Sequence, residues 1–295
     1  MRGLETAFPV AGMGEVAGAM VEEMRPRPLT GDTVHREYPL DRATRQVFRG
    51  ALTAMNRTGI PYAVGGAFGL HWYTSFWRVA KDLDLFILPE DVGRAMQVLL
   101  EIGFTTRIKH PEWLADAVLG DHKVDLIFGM GNWSGYIDHT FFDKAPLGLV
   151  LGVRARLLPP EEMIYSKAFV ASRERYDAAD LHHLLIATGE QLDWPRLLDR
   201  FGENWEVLLS HLVMFRYVYP SHRNIIPPWV LDELLRRFQA TRQEPWQGGK
   251  LCRGFLLDGI GTYSLDITEW GYRDARQETR EDLQRREKQR LQEAE

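Results

Sequence analysis

Hydrophobic and polar positions alternate along this chain in two different rhythms, and the change falls near Pro159-Pro160. Before it, one helical pattern comes first: LDRATRQVFRGALTAMNRTG, with Val47, Leu52 and Met55 near helical spacing and Gly59 as a stop. Short apolar runs follow. Tyr62–Val64 leads into a Gly-Gly turn and a helix predicted from Ala67 to about Thr74, and LDLFILP reads as a strand ended by Pro89. EDVGRAMQVLLEIGF is an acid-started helix closed by Gly103. TTRIKH, LADAVL and HKVDLIFG are strands, the last two joined at Gly120-Asp121, and GLVLGVRARLLP adds one more.

After Pro160 the period becomes helical up to about residue 243, and 244–272 carries no clear pattern. PPEEMIYSKAFVASRERYDAADLHHLLIATGE predicts two helices, and DWPRLLDRF, ENWEVLLSHLVMFRYVY and PPWVLDELLRRFQ three more. The expectation is an α/β (α+β) half, a mixed sheet with flanking helices, followed by a helical domain. Four stretches follow from this: residues 1–38 as a leader or loose arm, 39–158 as the sheet domain, 159–243 as the helical domain, and 244–295 as an extension. The extension begins Gly- and aromatic-rich and ends in a charge-dense segment best read as a solvated terminus.

Composition narrows the partners. A net charge of −5 gives no basic field for a long nucleic acid. Cys252 is the one cysteine, which excludes an internal disulfide and a multi-cysteine zinc site, and fits a reducing cytoplasm. Glu5 and Glu15 interrupt the amino-terminal apolar region, against a signal peptide, and no run reaches membrane-spanning length.

The chemistry centres on YAVGGAFGLHWYTSFWRVAKDLDLFI, residues 62–87. Gly65-Gly66-x-x-Gly69 superficially suits a dinucleotide cradle. However, that fold needs one acid at the carboxyl end of the next strand, whereas Asp82 and Asp84 stand at the start of theirs. A Walker loop also fails, because no Gly-Lys-Ser/Thr follows. Alternation puts Asp82 and Asp84 on one face of their strand, with Leu83 and Leu85 on the other. Two such carboxylates repel unless a cation bridges them, and their hard oxygens suit Mg²⁺ together with substrate phosphates. Asp125 in HKVDLIFG supplies a third acid on a neighbouring strand. Gly65 and Gly66 leave N–H groups free at a helix start, where phosphate oxygens are held. The competing reading, strand-end acids without function, would suffice for an isolated Asp-x-Asp; the glycine pair and third acid favour a triphosphate-and-metal site.

This arrangement resembles the DNA polymerase β-like nucleotidyltransferase superfamily: a Gly-Gly or Gly-Ser helix start, Asp-x-Asp, then a third acid. WRVAKDLDLFI is similar in particular to bacterial stand-alone members of the AbiEii type, with Arg78, Lys81, Asp82 and Asp84 at matching positions. Ala80 stands where a hydroxyl residue is usual, and the Gly66–Asp82 interval is longer. SKAFVASRERYDAADLHHLL resembles the helix pair of the same proteins, with Lys167, Arg175, Asp177 and Asp180 matching. The resemblance covers about residues 62–185. It implies a Mg²⁺-dependent enzyme, Mn²⁺ being an alternative, that moves NMP from an NTP onto an acceptor hydroxyl. Asp82, Asp84 and Asp125 would be the metal and catalytic acids, and Gly65, Gly66, Arg78, Lys81, Lys167 and Asp180 would bind the nucleotide. The acceptor stays open between a small molecule, a tRNA end and a protein; an antitoxin partner follows from the AbiEii likeness alone. A non-catalytic module that binds a nucleotide or a partner is the alternative.

Simpler roles compete at several positions. Asp177 and Asp180 suit a helix cap and first turn, and Lys167 an exposed helix position. His182-His183 lacks metal-ligand spacing. Trp72, Tyr73, Phe76 and Trp77 are expected in the core. Cys252 has no adjacent activating partner beyond Lys250 and Arg253.

Overall fold

The computed structural model describes residues 37–78, 80, 82–131, 135–171, 175–253, 267 and 269–275. The leader up to residue 36, Lys81 and the charge-dense segment from 276 lie outside the described residues. The chain opens with α1 (Arg42–Asn56), whose carboxylate cap Asp41 accepts a hydrogen bond from the Thr44 N–H. Then come β1 (Tyr62–Val64), α2 (Gly66–Thr74) and β2 (Asp82–Ile87). Next are α3 (Val92–Glu101), β3 (Thr105–His110), β4 (Leu114–Leu119) and β5 (His122–Ile127).

These strands form a five-stranded sheet in the order β1-β2-β5-β4-β3. β2 and β5 run parallel at its centre; the other neighbours are antiparallel. The sheet is therefore mixed and flanked by helices, as the alternation of patterns predicts. Leu83, Leu85, Val124, Leu126, Ala115 and Ala117 share one face and are all fully buried. Against that side lie Phe48, Leu52 and Met55 of α1 and Ala95 and Leu99 of α3. Each such leucine contributes roughly 1.5–3 kcal/mol by leaving water, so this face fixes the register. A slip by one residue would exchange it with the acidic face.

GLVLGVRARLLP forms two strands where one was expected. β6 (Leu147–Val150) and β7 (Val153–Arg156) pair antiparallel. The reversal is made by Leu151 and Gly152, both with positive φ (53° and 76°), the geometry of a two-residue hairpin turn. Apolar composition conceals such a turn because leucine seldom occupies it.

The second half is helical: α4 (Pro160–Ala168), α5 (Ala178–Thr188), α6 (Trp194–Phe201), α7 (Trp205–Val218) and α8 (Pro228–Thr241). α5 packs on both α4 and α2, which joins the helical half to the glycine turn. Glu162 of α4 is fully buried and accepts hydrogen bonds from Arg196 (2.6 Å) and Arg200 (3.0 Å) of α6, which offset part of its desolvation; burial still leaves its carboxyl raised. Two short strands, β8 (Leu251–Cys252) and β9 (Arg273–Asp274), pair in the extension.

Tyr38, at the end of the expected arm, is fully buried and packs against Phe68, 5.2 Å between ring centroids. Trp72 and Tyr73 are buried and Trp77 packs on the core. Phe76 departs from the expectation of a core aromatic: it is 42% exposed and lies 4.9 Å from the His183 ring. It follows Ser75, whose left-handed backbone ends α2 and turns the next side chain outward. Among the described residues, no helix is long and apolar enough to cross a membrane.

Candidate active site

Strand register assembles the acids. Asp84 of β2 lies opposite Asp125 of β5, and Asp82 opposite Lys123. Residues paired in register share a face, so all four project from the side of the sheet away from the α1/α3 core. The row continues: Asp125 lies opposite Asp116 of β4, and Asp116 opposite Arg107 of β3. Asp116 is only 1% exposed and takes a bidentate pair of hydrogen bonds from Arg107, 2.8 and 2.9 Å. Its charge is thereby spent inside the sheet.

Lys123 was not among the predicted site residues. Its ammonium donates to Asp125 (2.7 Å) and lies 3.0 Å from Asp82, bridging two of the three acids. Burial works against that charge, yet the bonds to Asp125 and Asp82 raise its pKa above the ordinary value. Among the described residues, this one ammonium faces three carboxylates. Burial, followed by the charges of Asp82 and Asp125, pushes the Asp84 carboxyl up to about 7. Asp125 is likewise raised, chiefly by burial, and its Oδ1 is buried without a hydrogen-bond partner.

The glycine turn meets Asp84 directly. The Gly65 N–H donates to the Asp84 carbonyl at 3.1 Å, tying the turn to the strand. Gly66 has φ +52°, and a Cβ there would lie 1.6 Å from Asp84 Oδ2. A Cβ at Gly65 would lie 2.4 Å from the Phe86 ring. Both glycines are thus demanded by close approach to β2, and Gly66 also by its backbone. The first N–H groups of α2, which have no partner within a helix, open beside the same carboxylate.

Across from the sheet stands a second charged group. Lys167 of α4 is 5% exposed, so it is no surface lysine. Its ammonium donates to Asp180 (2.6 Å) and Asp177 (3.3 Å). Asp180 also pairs with Arg78 at 3.0 Å, and Asp177 takes two bonds from Arg175 at 2.9 and 2.8 Å. Asp177 occupies the cap position of α5, but its side chain makes no capping bond. Burial would raise its pKa; Arg175 and Lys167 more than offset this and hold it low.

Sheet, glycine turn and this group enclose one cleft of about 360 Å³. Gly66, Arg78, Asp82, Asp84, Asp125 and Lys167 of the predicted set line it, joined by Arg175 and Asp177. Gly65 and Asp180 stand behind it as supports, through the bonds already given. A second cleft of the same volume, between Leu88, Val92, Ile108, Phe128 and Ile137, holds none of the predicted residues. His182, pushed down to about 4 mainly by burial, packs against Phe215 and Tyr219 away from the acids.

No family model and no curated protein matches this chain. Solved structures give loose likenesses. The antibiotic-resistance factor ANT(2'')-Ia is 16% identical, covers 63% of this chain and 97% of its own, and has a TM-score of 0.39. The lincosamide antibiotic adenylyltransferase LnuA is 12% identical over 47% of this chain and 94% of its own, with a TM-score of 0.36. An antigenic nucleotidyltransferase-like protein from Paracoccidioides brasiliensis is 12% identical over 64% and 96%, with a TM-score of 0.38.

Proposed function

We propose that this chain is a cytoplasmic, metal-dependent nucleotidyltransferase that moves NMP from an NTP to an acceptor hydroxyl. The observation that carries the reading is the register of β2 and β5. It sets Asp82, Asp84 and Asp125 on one face, with Gly66 packed against Asp84 Oδ2.

Whether the acids suit a divalent cation follows from their own electrostatics. Asp84 is raised to about 7 by burial and two neighbouring carboxylates, and Asp125 keeps an unpartnered buried oxygen. Both are relieved by added positive charge, and hard carboxylate oxygens match Mg²⁺. Among the described residues no three ligating side chains already converge as a cage. Mg²⁺ commonly takes only one or two carboxylates and completes its shell with phosphates and water. Asp82 and Asp84 would hold it, with Asp125 adjoining, and it would supply charge neutralisation to the triphosphate.

The chain's own residues do the rest. The amino end of α2 after Gly65-Gly66 receives β- and γ-phosphate oxygens. Arg78 and Arg175, held by Asp180 and Asp177, offer guanidinium groups to the same anion, and Lys167 fixes both carboxylates from behind. The acceptor oxygen bonds to the α-phosphorus as the bond to the β-phosphate oxygen breaks. Asp125 takes the acceptor's proton, and pyrophosphate leaves toward the arginines. Water is limited on the sheet side by the buried neighbours of the acids.

A second reading is supported by Lys123. An ammonium already seated between Asp82 and Asp125 would serve a metal-free module that binds a nucleotide or partner without turnover. The resemblance of residues 62–185 to AbiEii-type proteins supports the transfer chemistry but does not choose among acceptors or assign a toxin role.

The test uses each α-labelled NTP with Mg²⁺, against a metabolite extract, bulk tRNA and protein, beside Asp84→Asn. Transfer of label and release of pyrophosphate are expected, reduced at least about 10³-fold in the variant while its melting curve is kept. NTP binding without pyrophosphate under every condition would establish the binding module instead.

A further inference from the structure

The cleft is chemically divided along its length. At one end stand the acids, the glycine turn and the arginines. The other is walled by Trp113, Leu114, Ile127, Gly129, Met130 and Gly131. Register makes the division sharp. One rung beyond the row Asp84–Asp125–Asp116, on the same face, comes Phe86–Ile127–Leu114. An apolar row therefore adjoins Asp125, the residue assigned to receive the acceptor's proton.

Two details shape this end. The Trp113 indole stacks on the His110 ring, 5.2 Å apart and 6° from parallel, which fixes its plane. Gly131 faces the same indole at close range: a Cβ there would make ordinary contact, 3.7 Å from three atoms of the six-membered ring. Charge is equally informative. None of the described residues that wall this end is a carboxylate. Asp116, the nearest further acid on the face, is buried and neutralised by Arg107. A polycation would find no counter-charge here. A flat or apolar body would find an aromatic face and an aliphatic floor.

We propose that this end is the acceptor subsite, and that it takes a hydroxyl compound with an aromatic or apolar body and no cluster of positive charge. The proposal rests on the nucleotidyl-transfer reading and adds the class of acceptor. Trp113 sets specificity as part of the apolar wall, and Gly131 by keeping a longer side chain out of the space beside the indole. Ile127 and Leu114 hold the body so that its hydroxyl reaches Asp125.

The test measures binding apart from turnover. Saturation-transfer NMR on the full chain, with Mg²⁺ and α,β-methylene-ATP, compares a neutral aryl glycoside, 4-nitrophenyl β-glucopyranoside, with the polycation tobramycin. The glycoside is expected to bind and tobramycin not to compete. Trp113→Ala and Gly131→Leu should each weaken glycoside binding about tenfold or more, the scale of one lost apolar contact surface. A melting curve of each variant guards against misfolding; at 131 a Cβ meets only ordinary contacts. Absent glycoside binding, binding unchanged in Gly131→Leu, or preference for tobramycin would overturn the proposal. Glycoside binding that persists while no NTP is bound or turned over would instead defeat the nucleotidyl-transfer reading alone.

Discussion

The two charged groups facing each other across the cleft are built in opposite senses. On the sheet, Asp82, Asp84 and Asp125 share one lysine, Lys123. On the helical side, Asp177 and Asp180 meet three cations, Lys167, Arg78 and Arg175. Among the described residues the first is short of positive charge, and the Asp84 carboxyl is raised to about 7 by burial and then by Asp82 and Asp125. In the second, Arg175 and Lys167 outweigh burial and hold the Asp177 carboxyl low. One wall therefore favours a cation and the other an anion. A metal-bound triphosphate, as proposed above, would present both charges together.

The contrast is most severely broken by Lys167→Met. Two nearly buried carboxylates would keep only the partly exposed arginines, and removal of one partner from a buried pair costs about 3 kcal/mol at the lower end of its range. Urea unfolding should show that loss, along with weaker NTP binding; unchanged stability would mean that the arginines alone satisfy both acids. Gly66→Ala tests the sheet side. A left-handed backbone and a Cβ 1.6 Å from Asp84 Oδ2 should lower stability by about 2 kcal/mol and displace the carboxylate, read as a lowered melting temperature with lost Mg²⁺-dependent NTP binding.

Lys123→Met sharpens the comparison. Its charge is partly exposed, so the metal-free protein should lose about 1 kcal/mol or less. With the ammonium gone, the three acids should bind Mg²⁺ more tightly, lowering the half-saturating concentration in a titration. A higher requirement would show that the lysine assists the cation rather than substituting for it. A different kind of test, one of pH, falls on His182. Its folded pKa, about 4, lies below the ordinary 6.5, so the unfolded chain takes up the proton first as pH falls. Stability should decline from about pH 6.5 to about 4 and then level off; His182→Phe should flatten that slope in chemical unfolding at a series of pH values.

Much of this was legible in the residues because it is local. Two-residue alternation places Asp82 and Asp84 together, and the apolar half of the same alternation buries Leu83 and Leu85. The helices after Pro160 follow from their period. What escaped depends on pairing between distant segments. Lys123 stands two residues before Asp125, which hints at a shared face, but its reach to Asp82 needs the register of β2 against β5. Asp116 reads as an anomaly inside the apolar LADAVL, and only its partner Arg107 on the next strand explains it. Lys167 looks like any helical lysine until α5 brings Asp180 to 2.6 Å. The hairpin at Leu151-Gly152 was hidden because its turn lacks the usual Asn-Gly or Asp-Gly signal.

The fit of Gly66 against Asp84 imposes an order on how lineages of such a chain can decay. While the carboxylate stays, its oxygen fills the space that any side chain at 66 would need. On the proposed reading, descendants that abandon transfer would shed the acid first, and a side chain at 66 would then still face the left-handed backbone. A sequence with Gly66 and no acid at 84 would mark a recent loss, and one with both replaced an old one. The reverse combination, bulk at 66 beside an intact Asp84, should be the rarest of the three.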